Sequence, residues 1–482
     1  MIDLSGYQGK TIGVLGLGRS GLSAARALNR FGAEVWAWDD DEGARLRAAG
    51  EGLALVEFAG RDLSAVDALV LSPGIPHTHP APHPIVDALK RAGTPVIGDI
   101  ELLARTCPEA AYVGVTGTNG KSTTTALIAH VLETAGCHVG VGGNLGTPAL
   151  ELDALDGEGT YVLEMSSYQL EITPSLACDV AVFLNVSADH LDRHGGMDGY
   201  VAAKKRIFKN YRDGQVAVVG IDDPIAAGIH AELSASGERR VIAVSGYQKT
   251  PGGVYIEDGY LIDDLDGEAV RRCYVADIIS LPGVHNGQNA AAAFAAVRAR
   301  GIEPAKAVSG IRSYPGLAHR QEAVSLVDGV LYVNDSKATN IDATSRALAC
   351  YDTVFLIAGG RSKGDEIDAL HSHLARVREA FLIGEAAEVF GASLEGRVPW
   401  TNCGDLEMAT KSARLRALES AEQRPVVLLS PACASFDQFD NFEARGDAFK
   451  RLVHNLPGHH DDAPYKLANT RQSPGSGEEE AA

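Results

Sequence analysis

The sequence has few basic residues, no long apolar run and no paired cysteines. Its 43 Lys and Arg residues are outnumbered by 63 Asp and Glu residues, giving a formal net charge of −20. A nucleic-acid-binding protein needs a basic face, so this balance argues against that class. No apolar run is long enough to span a bilayer. The first residues contain no basic segment followed by an apolar one, so we expect no signal peptide.

The cysteines and the overall composition indicate an ordinary globular protein. The 7 cysteines are scattered and lack the paired spacing of a metal site, which predicts reduced thiols in a cytoplasmic protein. The content of 45% hydrophobic and 22% charged residues is typical of a folded, water-exposed chain. A length of 482 residues is too great for one core, and two to four domains are expected.

The most informative motif lies at Tyr112–Thr123, where an apolar run leads into a glycine-rich turn and then into a helix beginning near Lys121. The N–H groups of such a turn, together with the helix N-terminus, attract phosphate. Lys121 can reach terminal phosphate oxygens, and the Ser122 hydroxyl can bind Mg²⁺. The glycine spacing is not that of the usual P-loop, and a plain strand–turn–helix junction is the alternative. The context favours a nucleoside triphosphate site.

A second glycine motif, G-x-G-x-x-G at Gly16–Gly21, follows an apolar strand, and Asp39 ends the next strand. This arrangement fits a dinucleotide, a nucleotide sugar or a turn without a ligand, because a helix N-terminus recognises phosphate and not nicotinamide. On the motif alone, NAD is the favoured ligand. Ser72–Ile75 forms another turn at the same predicted edge.

Alternating strands and helices, with Val216–Gly220 and Leu331–Asn334 among the predicted strands, predict an α/β protein with mainly parallel sheets. Residues 250–275 have Gly-Gly and Asp-Gly turns between short alternating strands, which predicts a small antiparallel flap. The predicted organisation is a Rossmann-like domain, a central P-loop-type domain, a C-terminal Rossmann-like domain and a disordered tail, at residues 1–98, 99–315, 316–456 and 457–482. In the third block, the polar clusters Asn334–Asn340, Gly359–Gly364 and Ser430–Phe436 each follow a strand. Ligands bind at that edge of an open sheet, although loops rich in turn-forming residues are the alternative.

Several single residues are candidates for chemistry. Glu164 ends an apolar strand and suits Mg²⁺, unless it is simply a solvated acid. His190 follows another strand and could be a ligand, a proton donor or a structural histidine. Lys204 lies on the predicted helix Met197–Tyr211, whose spacing does not distinguish this lysine from a solvated face. Lys337 and Lys363 suggest a substrate with carboxylates, or two exposed lysines that never meet.

These motifs together resemble the Mur ligase family, the ATP-dependent amide ligases of cell-wall synthesis. The family's own phosphate loop, T-G-x-N-G-K-[ST], matches this chain. The resemblance covers essentially everything before the tail and is carried by Thr116–Thr123, Glu164–Gln169, Asn185–His190, His285–Asn289 and Gly316–Arg320. Within the family, Asn334–Asn340 and Ser430–Phe439 resemble the members that add D-glutamate.

The resemblance implies a function and replaces NAD with UDP in the first domain. It implies that ATP and Mg²⁺ are used to join D-glutamate to UDP-N-acetylmuramoyl-L-alanine through an acyl phosphate, in cytoplasmic peptidoglycan precursor synthesis. It further implies a monomer that binds small molecules, with no nucleic-acid partner and no membrane insertion. Lys204 matches the family's carbamylated lysine, and a carbamate would make it a metal ligand.

The resemblance also assigns site residues. ATP binding falls to Gly117, Thr118, Asn119, Gly120, Lys121, Ser122, Thr123, Asn286, Asn289, Arg320 and Asp335. Substrate binding falls to Gly18, Arg19, Ser20, Asp39, Ser72, Gly74, Asn144, Ser166, Gln169, Lys337, Thr339, Lys363, Ser435, Phe436 and Phe442. The metal ligands would be Ser122, Glu164, His190 and Lys204, and the catalytic residues Lys121, His190 and Lys204.

Two other classes of function are compatible with parts of the sequence. An NAD-dependent oxidoreductase with an accessory nucleotide domain would bind nicotinamide. A nucleotide-gated binding protein would bind ATP without substrate-dependent release of ADP. A nearer alternative is a ligase of the same family that adds L-alanine, a diamino acid, a dipeptide or folate-linked glutamate, against which Asp335–Asn340 argues.

Overall fold

Three sheets, one in each of the three predicted blocks, form the framework of the chain. The computed structural model describes residues 2–362, 367–420 and 424–461. These residues group into two compact units. The first extends up to Cys273 and includes His285–Ser313, and the second comprises Tyr274–Val284 and the described residues from Tyr314 onward.

The N-terminal domain is built on a four-stranded parallel sheet of order β2-β1-β3-β4. Its strands are β1 Thr11–Leu15, β2 Glu34–Trp38, β3 Ala68–Leu71 and β4 Val96–Ile97. Its helices are α1 Arg19–Arg30, α2 Glu42–Gly50 and α3 Pro84–Arg91, and α4 Asp99–Thr106 leads into the next domain. The turn after β1 needs glycine, because a Cβ on Gly16 would lie 2.6 Å from the Ser72 Cβ.

The central domain contains a nine-stranded sheet of order β13-β12-β11-β10-β9-β8-β5-β7-β6. Its strands are β5 Ala111–Thr116, β6 Val139–Gly143, β7 Thr160–Glu164, β8 Val180–Phe183, β9 Val216–Gly220, β10 Arg240–Ser245, β11 Val254–Glu257, β12 Tyr260–Asp263 and β13 Val270–Tyr274. Its helices are α5 Lys121–Thr134, α6 Ser167–Glu171, α7 Leu191–His194, α8 Met197–Lys205, α9 Pro224–Ser236, α10 Val284–Ala299 and α11 Pro304–Ser313.

Burial explains the composition of these central elements. Strands β5, β7 and β8 are buried at every residue, so their sequences are mainly apolar, as is typical of parallel strands covered on both faces. Helix α10 is rich in alanine because it is buried on all sides from Asn286 to Val297. The predicted antiparallel flap is present as the β11–β12 hairpin, whose turn at Asp258 and Gly259 has positive φ at both residues.

The C-terminal domain has a seven-stranded sheet of order β18-β17-β16-β19-β15-β14-β20. Its strands are β14 Glu322–Val327, β15 Val330–Asn334, β16 Val354–Gly359, β17 Val377–Ile383, β18 Trp400–Gly404, β19 Val426–Leu429 and β20 His460–Asp461. Its helices are α12 Ile341–Leu348, α13 Ala387–Leu394, α14 Leu406–Glu419 and α15 Phe442–His454. The interior strands are parallel, whereas β14 and β20 add antiparallel pairs at one edge.

Two predictions need correction. The tail was expected to begin at residue 457, but β20 at His460–Asp461 pairs with β14, so the folded domain continues to Asp461. Residues 462–482 of the predicted tail lie outside the described residues. The helix expected to continue to Tyr211 ends as an α-helix at Lys205 and tightens into a 3₁₀ turn.

Among the described residues, we find no helix that combines the length and apolarity required to cross a membrane.

Candidate active site

The predicted phosphate loop lies between β5 and α5 and is held by hydrogen bonds along its own length. Gly117 and Gly120 adopt φ values of 155° and 80°, which favour glycine. The Lys121 amine donates to the carbonyl oxygens of Gly117, at 3.0 Å, and Thr118, at 2.8 Å. The loop therefore gathers a cation and the N-terminus of a long helix at one place, as phosphate binding requires.

Helix α10 closes one side of this loop. A Cβ on Gly120 would lie 2.3 Å from Oδ1 of Asn289, so the backbone and this amide are in direct contact. Thr124 donates to the same Oδ1 at 3.2 Å, and the Asn289 Nδ2 donates to the Asn286 Oδ1 at 2.9 Å. The structure thus brings the two predicted ATP-contacting asparagines to the phosphate loop.

Glu164, a predicted metal ligand, ends β7 directly beside the strand that leads into the loop. Its Oε1 accepts a hydrogen bond from Asn144 Nδ2 at 2.6 Å. Its Oε2 is buried and has no hydrogen-bond partner among the described residues. A buried carboxylate oxygen without a donor is costly, and a hard cation such as Mg²⁺ would satisfy it.

Lys204, which sequence spacing did not distinguish, is almost completely buried in α8. Its Nζ donates to the Gly117 carbonyl at 2.7 Å, the same oxygen that accepts from Lys121, and lies 4.6 Å from the ring centroid of Tyr200. Burial, together with the nearby Lys121 charge, lowers the pKa of Lys204 to about 7. The structure therefore places a lysine with a readily lost proton against the phosphate loop.

His190 has a left-handed backbone at the start of α7, with φ of 52°. Its ring is about half exposed, lies 3.4 Å from an Asp189 oxygen and packs 5.3 Å from the Tyr168 ring. Within the described ranges, no three His, Cys, Asp or Glu side chains form a ready-made metal cluster. Only Glu164 and His190 of the predicted ligand set belong to these residue types, and the set stays a prediction.

Ser166 and Gln169 have a local role in the structure. Together they form a capping box at the start of α6, in which the Gln169 backbone N–H donates to the Ser166 hydroxyl at 3.2 Å and the Gln169 Oε1 accepts from the Ser166 backbone N–H at 3.0 Å. This cap fixes the turn that follows Glu164. Their predicted contact with substrate stays a prediction.

The predicted substrate residues of the N-terminal domain line one cavity of about 510 Å³. These residues are Gly18, Arg19, Ser20, Asp39, Ser72 and Gly74. Sequence reasoning missed His83, which also lines the cavity and whose Nε2 lies 3.0 Å from Oδ2 of Asp40. Its position in the sequence, at the cap of α3, gave no functional signal.

Asp39 is engaged by backbone on both carboxylate oxygens. Oδ2 accepts from the Leu17 N–H at 2.6 Å and Oδ1 accepts from the Asp41 N–H at 2.8 Å. In an NAD site, a carboxylate at this position also binds the ribose hydroxyls. Here it shapes the glycine loop, and Arg19 donates to the Gly146 carbonyl.

In the C-terminal domain, loops after three strands meet at one edge of the sheet, as the polar clusters predicted. The Ser336 hydroxyl donates to the Phe442 carbonyl at 2.8 Å, and the Arg361 N–H donates to the Ala434 carbonyl at 2.9 Å. The Lys337 amine lies 3.9 Å from the ring centroid of Phe442. The edge therefore presents a cation beside an aromatic ring.

The remaining predicted residues of this domain differ in exposure. Ser435 is buried, Thr339 is half-buried, and Phe436 is 63% exposed. Lys363 lies outside the described residues, so its predicted meeting with Lys337 stays untested. Phe442 begins α15.

The two predicted ATP-contacting residues of the C-terminal domain, Asp335 and Arg320, also differ in solvent exposure. Asp335 is buried and accepts from the Ser430 hydroxyl at 2.8 Å, and burial raises its pKa to about 7. Arg320 is exposed.

Comparisons with known proteins identify the class. The sequence matches the models described as "Mur ligase middle domain", over residues 115–297, and "Mur ligase MurD-like, N-terminal domain", over residues 10–98. These matches agree with the three-domain α/β fold and with the glycine loop that precedes α5. The chain belongs to the Mur ligase family, which confirms the family predicted from its motifs.

Similar curated relatives carry a more particular name. A protein from Rhodospirillum rubrum called UDP-N-acetylmuramoylalanine–D-glutamate ligase is 50% identical over 461 residues, covering 95% of this chain and 97% of the relative. A protein of the same name from Paramagnetospirillum magneticum is 51% identical over 453 residues, covering 94% and 98%. The D-glutamate-adding function expected from the motifs agrees with both names.

Solved structures with the same fold include other members of the family. UDP-N-acetylmuramate-alanine ligase from Thermotoga maritima has a TM-score of 0.56 at 16% identity and covers 92% of this chain and 99% of its own. A UDP-N-acetylmuramoyl-L-alanyl-D-glutamate–2,6-diaminopimelate ligase has a TM-score of 0.55 at 20% identity, with 95% of each chain covered. At these identities the likeness shows the fold alone, and it confirms the predicted fold class.

Proposed function

We propose that this protein joins D-glutamate to the L-alanine carboxylate of UDP-N-acetylmuramoyl-L-alanine, with conversion of ATP to ADP and phosphate. The main support is that relatives of this name match about 95% of the chain at about 50% identity. The phosphate loop supports the nucleotide part, because two lysine amines donate to the same Gly117 carbonyl. We further infer that the protein works in the cytoplasm, as a monomer, in peptidoglycan precursor synthesis.

The chemistry needs an activated carboxylate, since oxide is a poor leaving group in amide formation. Transfer of the γ-phosphoryl group of ATP to the alanine carboxylate gives an acyl phosphate. The amine of D-glutamate then attacks the acyl carbon, the tetrahedral intermediate collapses and phosphate leaves. Lys121 is suited to stabilise the charge that develops on the phosphoryl oxygens in both steps.

The residues around the loop fit a magnesium ion. The unpartnered Oε2 of Glu164 and the Ser122 hydroxyl are hard oxygen ligands of the type that Mg²⁺ prefers. When bound, the ion would neutralise charge on the phosphates. Asn144 orients the Glu164 carboxylate through its 2.6 Å hydrogen bond.

We propose that Lys204 carries a carbamate. A buried lysine whose amine is readily neutral can attack CO₂, with loss of a proton, and the product is a carboxylate-like anion. Beside Lys121 such an anion would have a cationic neighbour, whereas an ammonium there faces a like charge. This modification would also make position 204 a metal ligand.

D-Glutamate selection is proposed to reside in the C-terminal domain. Lys337 and the hydroxyls of Thr339 and Ser435 can bind two carboxylates at fixed positions while the amine remains free to attack. Lys337 is held beside Phe442 at 3.9 Å, which limits its rotamers. The L-isomer cannot place both carboxylates on the same donors with its amine aimed at the acyl phosphate.

A phosphate-release assay tests this function. With UDP-N-acetylmuramoyl-L-alanine and ATP, D-glutamate should support phosphate release, whereas L-glutamate, L-alanine and a diamino acid should not. Lys337→Ala should raise the KM for D-glutamate about ten- to a hundredfold, because one charge-assisted contact is lost, with little change in the KM for ATP. Lys411→Ala is the matched control, since Lys411 is exposed and pairs with Glu407. Preference for another amino acid would contradict the proposal.

A further inference from the structure

Three polar side chains connect the phosphate loop to the strand ends behind it. Asn185 follows β8, Asp222 follows β9 and Gln288 lies in α10. The Asn119 N–H donates to Asn185 Oδ1 at 2.8 Å, Asn185 Nδ2 donates to Gln288 Oε1 at 3.3 Å, and Gln288 Nε2 donates to Asp222 Oδ2 at 2.8 Å. We call this series of side chains the amide relay.

The direction of the relay follows from the chemistry of its far end. The Asp222 carboxylate can only accept, and it is held in place by the Gly246 N–H at 2.8 Å and by the Ser245 hydroxyl. Gln288 must therefore turn its NH₂ group toward Asp222 and its oxygen toward Asn185. Asn185 must then turn its own oxygen toward the Asn119 N–H.

The near end of the relay acts on the backbone that would contact phosphate. Asn185 makes three hydrogen bonds to the loop. Besides the bond from the Asn119 N–H, its backbone carbonyl accepts from the Thr118 N–H at 2.9 Å, and its side-chain Nδ2 donates to the Asn119 carbonyl at 3.2 Å. Asn119 immediately precedes Gly120, whose left-handed φ of 80° brings the chain into α5. A shift at Asn119 would therefore move the N–H groups at the start of α5.

We propose that Asp222 and Gln288 are positioning residues, which hold the phosphate loop in its ATP-binding conformation through Asn185. The inference rests on the proposed use of ATP. Gln288 is buried next to Asn289, the residue in contact with Gly120, so two adjacent side chains of α10 act on consecutive loop residues. Helix α10 thereby supports the loop through two of its side chains, Asn289 directly and Gln288 through Asn185.

Reversing one group of the relay tests the proposal. Gln288→Glu is nearly isosteric but turns a carboxylate toward Asp222, so the hydrogen bond from position 288 to Asp222 is lost and two carboxylates face each other. We expect the Kd for ATP, measured by calorimetry, to rise on the order of ten- to a hundredfold, while the KM for D-glutamate changes less than about twofold. Gln248→Glu is the matched control, since Gln248 is exposed and donates to the Ile221 carbonyl beside Asp222 but lies outside the relay.

A second variant separates positioning from a general loss of structure. Adding Asp222→Asn to Gln288→Glu removes the repulsion between two neighbouring carboxylates, and ATP affinity should recover by at least about threefold over the single variant. If Gln288→Glu does not fold, Gln288→Met should show the same selective loss. An unchanged ATP Kd in folded Gln288→Glu, or no recovery in the double variant, would overturn the proposal. If the unsubstituted protein fails to bind ATP at all, it is the proposed function that fails.

Discussion

Lys204 differs from a free lysine side chain because it is buried beside a second lysine. Its amine and that of Lys121 share the Gly117 carbonyl, at 2.7 and 3.0 Å. The lowered pKa of Lys204, near 7, follows from burial and from the Lys121 charge. No local sequence pattern reveals the burial and lowered pKa of Lys204, because the neighbouring Lys205 has the same side chain yet forms an exposed ion pair with Glu232.

This contrast gives a prediction with an internal control. Lys204→Ala should be nearly inactive, since the proposed carbamate ligand is lost, and added short carboxylates should partly restore activity. Lys205→Ala should retain activity, because only a surface ion pair is removed. Phosphate release measures both variants, and ¹³C NMR with labelled CO₂ should show a carbamate signal in the unsubstituted protein that is absent from Lys204→Ala. A fully active Lys204→Ala enzyme would disprove the proposed role.

At the scale of elements, the conformation of the turn between β5 and α5 depends on contacts with residues that are distant in the sequence. The motif predicted a glycine-rich phosphate loop, and the structure has one there. The demand for glycine at position 120 comes partly from φ and partly from Asn289, which lies far away in the sequence on α10. The two causes can be separated experimentally.

Gly120→Ala should weaken ATP binding and lower the free energy of unfolding. The left-handed φ costs about 1 kcal/mol for alanine, and the new Cβ would in addition meet Asn289 Oδ1 at 2.3 Å. Gly136→Ala is the matched control, because Gly136 has φ of 93° but open space around it. Urea unfolding and ATP calorimetry should show a larger loss of stability at position 120 and a loss of ATP affinity only there. Equal effects at both positions would argue against the contact with Asn289.

Other elements show where a contiguous apolar run was sufficient to predict a strand. The buried parallel strands were predicted because each is a contiguous apolar run, and Leu331–Asn334 and Val216–Gly220 agree with the structure to within a residue. Strand β20 was assigned to the tail, since two residues carry no periodicity and its pairing with β14 is made at long range.

At the scale of the whole molecule, the first domain shows that a fold does not by itself determine which ligand binds. A G-x-G-x-x-G turn after a parallel strand fits any diphosphate, and on that motif NAD was favoured. In the structure, both oxygens of Asp39 accept backbone N–H groups, so this carboxylate helps to hold the glycine loop in place. Family membership then favours a UDP-linked substrate.

Calorimetry decides between these ligands. With ATP present to occupy the central site, the protein should bind UDP and should give no binding heat with NAD. The reason is that the glycine loop and the N-terminus of α1 at this cavity attract a diphosphate, and family membership favours a UDP-linked substrate over a nicotinamide one. Tight NAD binding without UDP binding would reverse the assignment of this domain and weaken the proposed function.

The sequence by itself determined the fold class, the three α/β blocks and the family, because strands, glycine turns and the T-G-x-N-G-K-S loop are contiguous in the chain. The residue roles assigned by resemblance stay predictions, as do the domain limits other than the start of the tail. The tertiary structure alone decided which distant side chains meet: Lys204 with Lys121, Asn289 with Gly120, and Asp222 and Gln288 with Asn185. Burial and hydrogen-bond partners depend on segments that are far apart in sequence, so no local pattern can specify them.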